Sequence, residues 1–154
     1  MDSSLRELYQ EVILDHSRHP RHYGVLAAAT HKAEGYNPLC GDRVTVYLVL
    51  DGAGRVTDIR FEGKGCAISQ ASASLMTEML AGKTAAEAEK LMNGFLHLVR
   101  GEPASDLPED ARDHMDVMSG LSEFPMRVKC ATLAWHTFKN AVEEGRNAVE
   151  EGGQ

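Results

Sequence analysis

The stretch Asn37-Pro38-Leu39-Cys40-Gly41-Asp42 places a thiol and a carboxylate two residues apart on a segment that must turn. Pro38 fixes its own φ and biases Asn37 away from helix, while Gly41 permits backbone angles that other residues avoid. Such a turn can direct both side chains at one point. Cys40 and Asp42 are therefore candidate ligands of one metal ion, and the fold must bring further ligands to them.

Strand patterns surround this turn. Residues 30–37 are compatible with a short first strand. In residues 43–50, Val44, Val46 and Leu48 alternate with Thr45, Tyr47 and Val49. The sequence Asp51-Gly52-Ala53-Gly54 then favours a hairpin turn, after which residues 55–62 return with Thr57, Ile59 and Phe61 on one face. This pattern predicts an antiparallel pair with one face covered by helices.

Helical periodicity accounts for most of the remaining chain. Five helices are predicted: residues 4–18 with a Ser4/Glu7 capping box, one beginning near Cys66, one capped by Thr84 and Glu87, one over residues 108–118, and one beginning near Pro125. The fold class we predict is α+β, a small, mostly antiparallel three-stranded sheet packed against about five helices. We expect residues 1–154 to form a single domain whose end, residues 143–154, frays into solvent.

Composition narrows the classes of function. The net charge of −7 without a basic run argues against a nucleic-acid binder. The sequence has no signal-peptide pattern and no apolar run that would span a bilayer, so we expect a cytoplasmic protein without membrane association. Three cysteines in a chain without signs of secretion favour metal or catalytic thiols over a disulfide framework.

Each cysteine falls at a turn or near a helix start. Cys40 precedes the predicted hairpin and Cys66 follows it, so the hairpin should bring them together, and the last helix could add Cys130. With Asp42, these thiolates would complete a tetrahedral zinc set of formal charge about −2. Arg127, and with it Lys129, is a candidate to offset that charge because both lie beside Cys130.

A second candidate for metal binding is the His-x-x-His-x-x-His spacing of His16, His19 and His22. Solvated histidines at a helix end, where a protonated imidazole suits the helix dipole, are the favoured interpretation. Their role stays open at this point.

The cysteine site itself has two interpretations. It could be a purely structural zinc site, although such sites usually draw their ligands from close Cys-x-x-Cys pairs. Here three distant segments each contribute one thiol, and a ligand on a flexible turn can leave and return. A released Cys40 thiolate would be a nucleophile able to attack a sulfane sulfur, as in thiol–disulfide exchange.

The chain resembles the U-type iron–sulfur assembly family, which comprises the NifU N-terminal, IscU and SufU proteins. The matching stretches are residues 37–42, Phe61-Glu-Gly-Lys-Gly-Cys66-Ala-Ile-Ser69, Lys129-Cys130, and Asp15-His16 with Pro20-Arg21. The SufU branch is the more similar, because Lys129 stands where IscU types have a histidine and Phe124-Pro-Met-Arg-Val-Lys129 replaces their Leu-Pro-Pro-Val-Lys chaperone segment. The interval from Cys66 to Cys130 is also longer than in IscU types, with the insert around residues 98–116.

The resemblance to SufU implies a zinc site of Cys40, Asp42, Cys66 and Cys130. It also implies that Cys40 accepts persulfide sulfur from a pyridoxal-phosphate (PLP)-dependent, SufS-like cysteine desulfurase, with Asp42 tuning ligand exchange. Downstream partners would be a cluster scaffold or apo iron–sulfur proteins. The chain would then be a sulfurtransferase-type carrier rather than a free-standing turnover enzyme.

Two other hypotheses remain. The chain could be a scaffold that assembles a transient [2Fe–2S] cluster on Cys40, Cys66 and Cys130, since such clusters also take thiolates. It could instead be a structural zinc adaptor, in which case alanine at Cys40 would unfold the protein without a separate effect on sulfur transfer.

Overall fold

The computed structural model describes residues 3–39, 41–104 and 107–143, without the side chains at positions 3–6 and 8. Its elements in chain order are α1 (Ser3–Arg18), β1 (His31–Asn37), β2 (Asp42–Leu50), β3 (Val56–Lys64), α2 (Ala67–Leu80), α3 (Ala85–Val99), α4 (Glu109–Met115), a 3₁₀ helix (Asp116–Glu123) and α5 (Pro125–Glu143). The predicted α+β class, with a three-stranded antiparallel sheet and five helices in the described ranges, is confirmed. The predicted fraying of residues 143–154 falls almost wholly outside these ranges.

The sheet has the order β1-β2-β3 and its register determines where the candidate ligands lie. Asn37 pairs with Asp42 at the β1–β2 turn, and Arg43 pairs with Lys64 where β3 ends. The start of β2 and the end of β3 are therefore neighbours at one end of the sheet. The tight turn predicted at the other end is present, with Asp51 accepting hydrogen bonds from the Ala53 and Arg55 amides.

One detail of β3 differs from the predicted alternation. Ile59 and Phe61 are buried as predicted, but Val56 is buried with them and Thr57 is exposed. The register passes from the Val49–Asp58 pair to the Leu50–Val56 pair and so skips Thr57. A bulge of this kind reverses the facing of the residues that precede it, which the strict two-residue period could not predict.

The core lies between one face of the sheet and the helices. Helix α5 packs on β1 and β2, and α2 packs between α5, α1 and β3. The small residues of α2 permit close approach: Ser72 donates to the Ala131 carbonyl (2.5 Å) and accepts from Trp135 Nε1 (3.0 Å). Trp135 in turn stacks on Phe95 of α3 with ring centroids 4.3 Å apart.

The starts of α3 and α5 follow the sequence signals. Thr84 and Glu87 form the predicted capping box of α3, and α5 begins at Pro125. The helix predicted over residues 108–118 instead changes at Asp116 from α to 3₁₀. Ser4 lies within α1. Its side chain, which is predicted to cap the helix, is not among the side chains that the structure describes. None of the described helices has the length and hydropathy needed to cross a membrane.

Candidate metal centre

The candidate metal site is built around the buried carboxylate of Asp42. Its side chain is only 2% exposed, because Asp42 faces the helices at the point where β2 begins. The carboxylate accepts the backbone amide of Cys66 at Oδ1 (3.1 Å). Cys66 is the N-cap residue of α2 and has no side-chain cap of its own, so Asp42 supplies an acceptor at that helix start.

The thiols of α2 and α5 meet at this carboxylate. Cys66 Sγ lies 3.9 Å from Asp42 Oδ2. The buried Cys130, in the second turn of α5, completes a group in which one ligand atom from each of the three residues lies within 4.8 Å of the others. Among the residues that the structure describes, this is the one group of three or more His, Cys, Asp or Glu side chains that lie close enough together to hold a metal ion.

The donor set fits zinc. Around a tetrahedral ion with Zn–S of about 2.3 Å and Zn–O of about 2.0 Å, sulfur and oxygen ligands stand roughly 3.5–3.8 Å apart. The observed separations, up to 4.8 Å, need only a small contraction to reach that geometry. Thiolate and carboxylate are also ligand types that zinc accepts.

Cys40 lies outside the described residues, but its two neighbours are defined. Gly41 has a φ of +75° and donates from its amide to the Asn37 carbonyl (2.8 Å). The Leu39 amide donates to Asn37 Oδ1 (3.1 Å). The predicted turn is thus present on both sides of Cys40, and the assignment of Cys40 as a fourth ligand stays a prediction.

The structure gives no direct support to the predicted charge compensation. Arg127 is exposed on the first turn of α5, where its guanidinium carbon lies 5.4 Å from the centroid of the Phe124 ring. Lys129 is exposed as well. The compensating role of Arg127 therefore also stays a prediction.

The solvated-histidine interpretation is wrong for His16. The side chain is 6% exposed because α1 packs on α2, and Nδ1 lies 2.7 Å from Ser74 Oγ. His22 Nδ1 similarly lies 3.1 Å from Thr77 Oγ1. The described contacts of these two histidines go to side chains of α2 rather than to one another, and no metal group of the described residues includes them or His19.

Sequence reasoning missed the role of Gly65. A Cβ at this position would stand 2.7 Å from Asp42 Oδ1 and 3.0 Å from its Cγ. Glycine therefore leaves the space that the buried carboxylate fills. The available signal was the Gly63-Lys64-Gly65-Cys66 sequence before α2, since a glycine at such a point can also mark the close approach of another group to the backbone.

Comparison with known proteins identifies the class to which this fold and site belong. Residues 8–131 match the model of the NifU-like N-terminal domain. The chain belongs to this family, whose relatives are iron–sulfur cluster assembly proteins of the SufU and IscU types.

Individual relatives cover nearly the whole chain. The zinc-dependent sulfurtransferase SufU of Bacillus subtilis is 40% identical over 152 residues, which are 99% of this chain and 97% of the relative. The iron–sulfur cluster assembly scaffold protein IscU of Streptococcus pyogenes is 38% identical over 95% of this chain and 89% of its own. Among solved structures, a SufU protein of Fervidobacterium islandicum superposes with a TM-score of 0.80 at 36% identity, covering 90% of this chain and 98% of the other.

Proposed function

We propose that this protein is a sulfur carrier of iron–sulfur cluster assembly, in which Cys40 accepts persulfide sulfur from a PLP-dependent cysteine desulfurase. Zinc would be its resident metal, held by Cys40, Asp42, Cys66 and Cys130. The observation that carries this proposal is the convergence of Asp42, Cys66 and Cys130, with Asp42 two residues after Cys40 in sequence. The zinc-dependent sulfurtransferase named among the relatives supports the same conclusion.

The proposed residue roles follow from burial. Asp42 and Cys130 are buried on ordered elements, which suits ligands that stay in place. Leu39 and Gly41, on either side of Cys40 in sequence, are exposed, which supports Cys40 as the ligand that exchanges. Zinc, when bound, stabilises cysteine in the thiolate form that both coordination and nucleophilic attack require.

The transfer step balances without an external oxidant. The Cys40 thiolate attacks the outer sulfur of a persulfide on the desulfurase cysteine, and a new S–S bond forms at Cys40. The S–S bond of the donor breaks, and the donor cysteine leaves as a thiolate. Cys40 then holds the persulfide for transfer to a cluster scaffold or to an apo iron–sulfur protein.

Exposed apolar side chains next to the site provide a surface for a partner. Leu39 is 63% exposed beside Cys40, and Phe124 and Met126 are 52% and 47% exposed just before the helix turn that holds Cys130. Side chains of this type are common anchors of protein interfaces. They support the approach of a partner to this end of the molecule.

The test is a single-turnover reaction of desulfurase, L-cysteine and this protein, followed by alkylation and mass spectrometry of Cys40. We expect wild-type Cys40 to gain one sulfur atom and desulfurase turnover to rise, while Cys40→Ala abolishes both effects and keeps the fold. Undiminished turnover with Cys40→Ala would contradict the proposal. Loss of folding in the same variant would instead support the structural adaptor.

A scaffold function is the second candidate, because relatives such as the Streptococcus pyogenes protein are named scaffolds. Its cargo would be a [2Fe–2S] cluster on Cys40, Cys66 and Cys130. Anaerobic reconstitution separates the two functions. A stable cluster that is transferred to an acceptor faster than the desulfurase turns over would favour the scaffold.

A further inference from the structure

The outward face of the sheet carries a regular pattern of charged side chains. Helices α5 and α2 pack over the opposite face, where Val46, Leu48 and Phe61 are fully buried. The outward positions carry charged and aromatic side chains in three rows that follow the cross-strand register. These sheet-face rows lie beside the candidate metal centre, because β2 begins at Asp42 and β3 ends two residues before Cys66.

The first row, nearest the metal centre, consists of Tyr36, Arg43 and Lys64, one residue from each strand. Arg43 follows Asp42 in sequence, and Lys64 precedes Gly65-Cys66. In β2 the buried Asp42 is thus followed by an outward-facing cation, and β3 ends in a cation two residues before Cys66. The guanidinium carbon of Arg43 lies 4.7 Å from the centroid of the Tyr36 ring, which restrains the side chain on the sheet.

The second and third rows alternate in charge. Glu34 and Glu62 flank Thr45 in the second row, and Lys32 and Arg60 flank Tyr47 in the third. The three rows thus hold four cations and two carboxylates, and Asp58, opposite Val49 at the far end of the face, adds a third carboxylate. Cations therefore outnumber carboxylates on this face, although the whole chain has a net charge of −7.

The cations of the first row form no ion pair with any carboxylate of the described residues. Among the described residues, no carboxylate lies within ion-pair distance of Arg43 or Lys64. Glu62, the nearest acid along β3, instead accepts a hydrogen bond from Tyr47 (2.5 Å). A trough of about 700 Å³ runs between the first two rows and is lined by Tyr23, Tyr36, Arg43, Lys64, Glu34 and Glu62.

We propose that this face binds an acidic surface of the cysteine desulfurase, whose acidic side chains would contact Arg43 and Lys64 while its persulfide loop reaches Cys40. This inference rests on the proposed function for the identity of the partner. The charge pattern supports a protein rather than a nucleic acid, because Glu34 and Glu62 would repel a phosphate backbone. It also accounts for two cations, Arg43 and Lys64, that form no ion pair with a carboxylate of the described ranges.

The test compares Arg43→Glu/Lys64→Glu with Lys90→Glu/Lys139→Glu, which makes the same change in net charge on exposed positions of α3 and α5. Affinity for the desulfurase is measured by titration calorimetry at low and raised ionic strength. We expect the sheet-face variant to weaken binding by about tenfold or more and to flatten the salt dependence, with the helix variant near wild type. Arg43→Gln/Lys64→Gln should act in the same direction with a smaller effect.

Three results would overturn the proposal. The sheet-face and helix variants could bind equally, affinity could fall only as far as zinc content falls, or a nucleic-acid duplex could bind this face in place of the desulfurase. Failure of the proposed function has a different signature. Wild-type Cys40 would then gain no sulfur in the single-turnover reaction, whatever the binding measurements show for Arg43 and Lys64.

Discussion

Gly65 links the backbone at the start of α2 to the position of the Asp42 carboxylate. The substitution Gly65→Ala would set a Cβ within 2.7 Å of Asp42 Oδ1, so the carboxylate must move away from the place where Cys66 and Cys130 converge. Gly65 has no positive φ, and the effect is therefore steric rather than conformational. We expect Gly65→Ala to lose zinc at about tenfold lower chelator concentration, measured as metal per chain after dialysis.

Gly120→Ala is the matched control for this change. A Cβ at Gly120 has no heavy atom within 4 Å among its non-neighbours, and the residue lies in the 3₁₀ helix away from the site. Equal zinc retention by the two alanine variants would show that the close approach of Gly65 does not position Asp42.

At the scale of elements, a buried polar seam joins α1 to α2. Ser74 Oγ accepts the Arg21 amide (2.8 Å), which leaves its own proton to donate to His16 Nδ1. His16 Nε2 then faces Glu78 at 3.7 Å. Burial lowers the pKa of His16 below its ordinary value, and the nearby charge of Arg21 lowers it further, against an opposing effect of Glu78. The surroundings of His16 in this seam therefore favour the neutral imidazole over the protonated form.

The lowered pKa of His16 predicts a pH-dependent stability. Below about pH 6.5 the unfolded chain takes up a proton at His16 more readily than the folded chain does. The free energy of unfolding therefore decreases as the pH falls toward the folded-state pKa. Above about pH 6.5 this contribution is constant. We expect urea unfolding of His16→Gln to show a shallower loss of stability on acidification than wild type.

His19→Gln serves as the control, because His19 is exposed beyond the end of the same helix. Its unfolding free energy should follow the wild-type pH dependence. If the free energy of unfolding varied with pH in the same way for wild type and His16→Gln, the α1–α2 seam would not favour neutral over protonated His16.

At the scale of the whole molecule, the proposed zinc site joins segments that are far apart in sequence. Asp42 begins β2, Cys66 caps α2 and Cys130 lies in α5. Because an ion that binds only the folded chain stabilises it by mass action, a thousandfold excess over the dissociation constant contributes about 4 kcal/mol. We expect chelation to lower the Tm measured by calorimetry, and added zinc to restore it.

Cys130→Ala tests the assignment of this stabilisation to the site. The variant should respond much less to the chelator, since α5 no longer contributes a ligand. If chelator changed the Tm of wild type and Cys130→Ala by the same amount, the stabilising ion would have to be bound elsewhere.

Much of this architecture could be predicted from local patterns. Alternation along residues 43–50, the Asp51–Gly54 turn and the Thr84/Glu87 capping box each depend on neighbouring residues, and all are confirmed. The bulge at Thr57 and the change to 3₁₀ geometry at Asp116 were missed. They depend on how the flanking elements pack, which a single sequence does not express.

Part of the candidate metal site could also be predicted from the sequence. Antiparallel register alone brings Asp42 next to the end of β3, and three cysteines in an acidic chain restrict the choice of ligands. The burial of His16 against Ser74 could not be predicted, because it depends on the packing of α1 on α2. The space that Gly65 leaves for the Asp42 carboxylate likewise depends on how the start of α2 packs against β2.

The stacking of Trp135 gives the molecule an intrinsic optical reporter. Trp135 is the only tryptophan in the sequence, it is fully buried, and its indole both stacks on Phe95 and donates to Ser72. Its fluorescence therefore comes from one defined environment where α2, α3 and α5 meet. Because Trp135 lies in the same helix as Cys130, movement of α5 on metal or partner binding would be readable as a change in emission, without any attached dye.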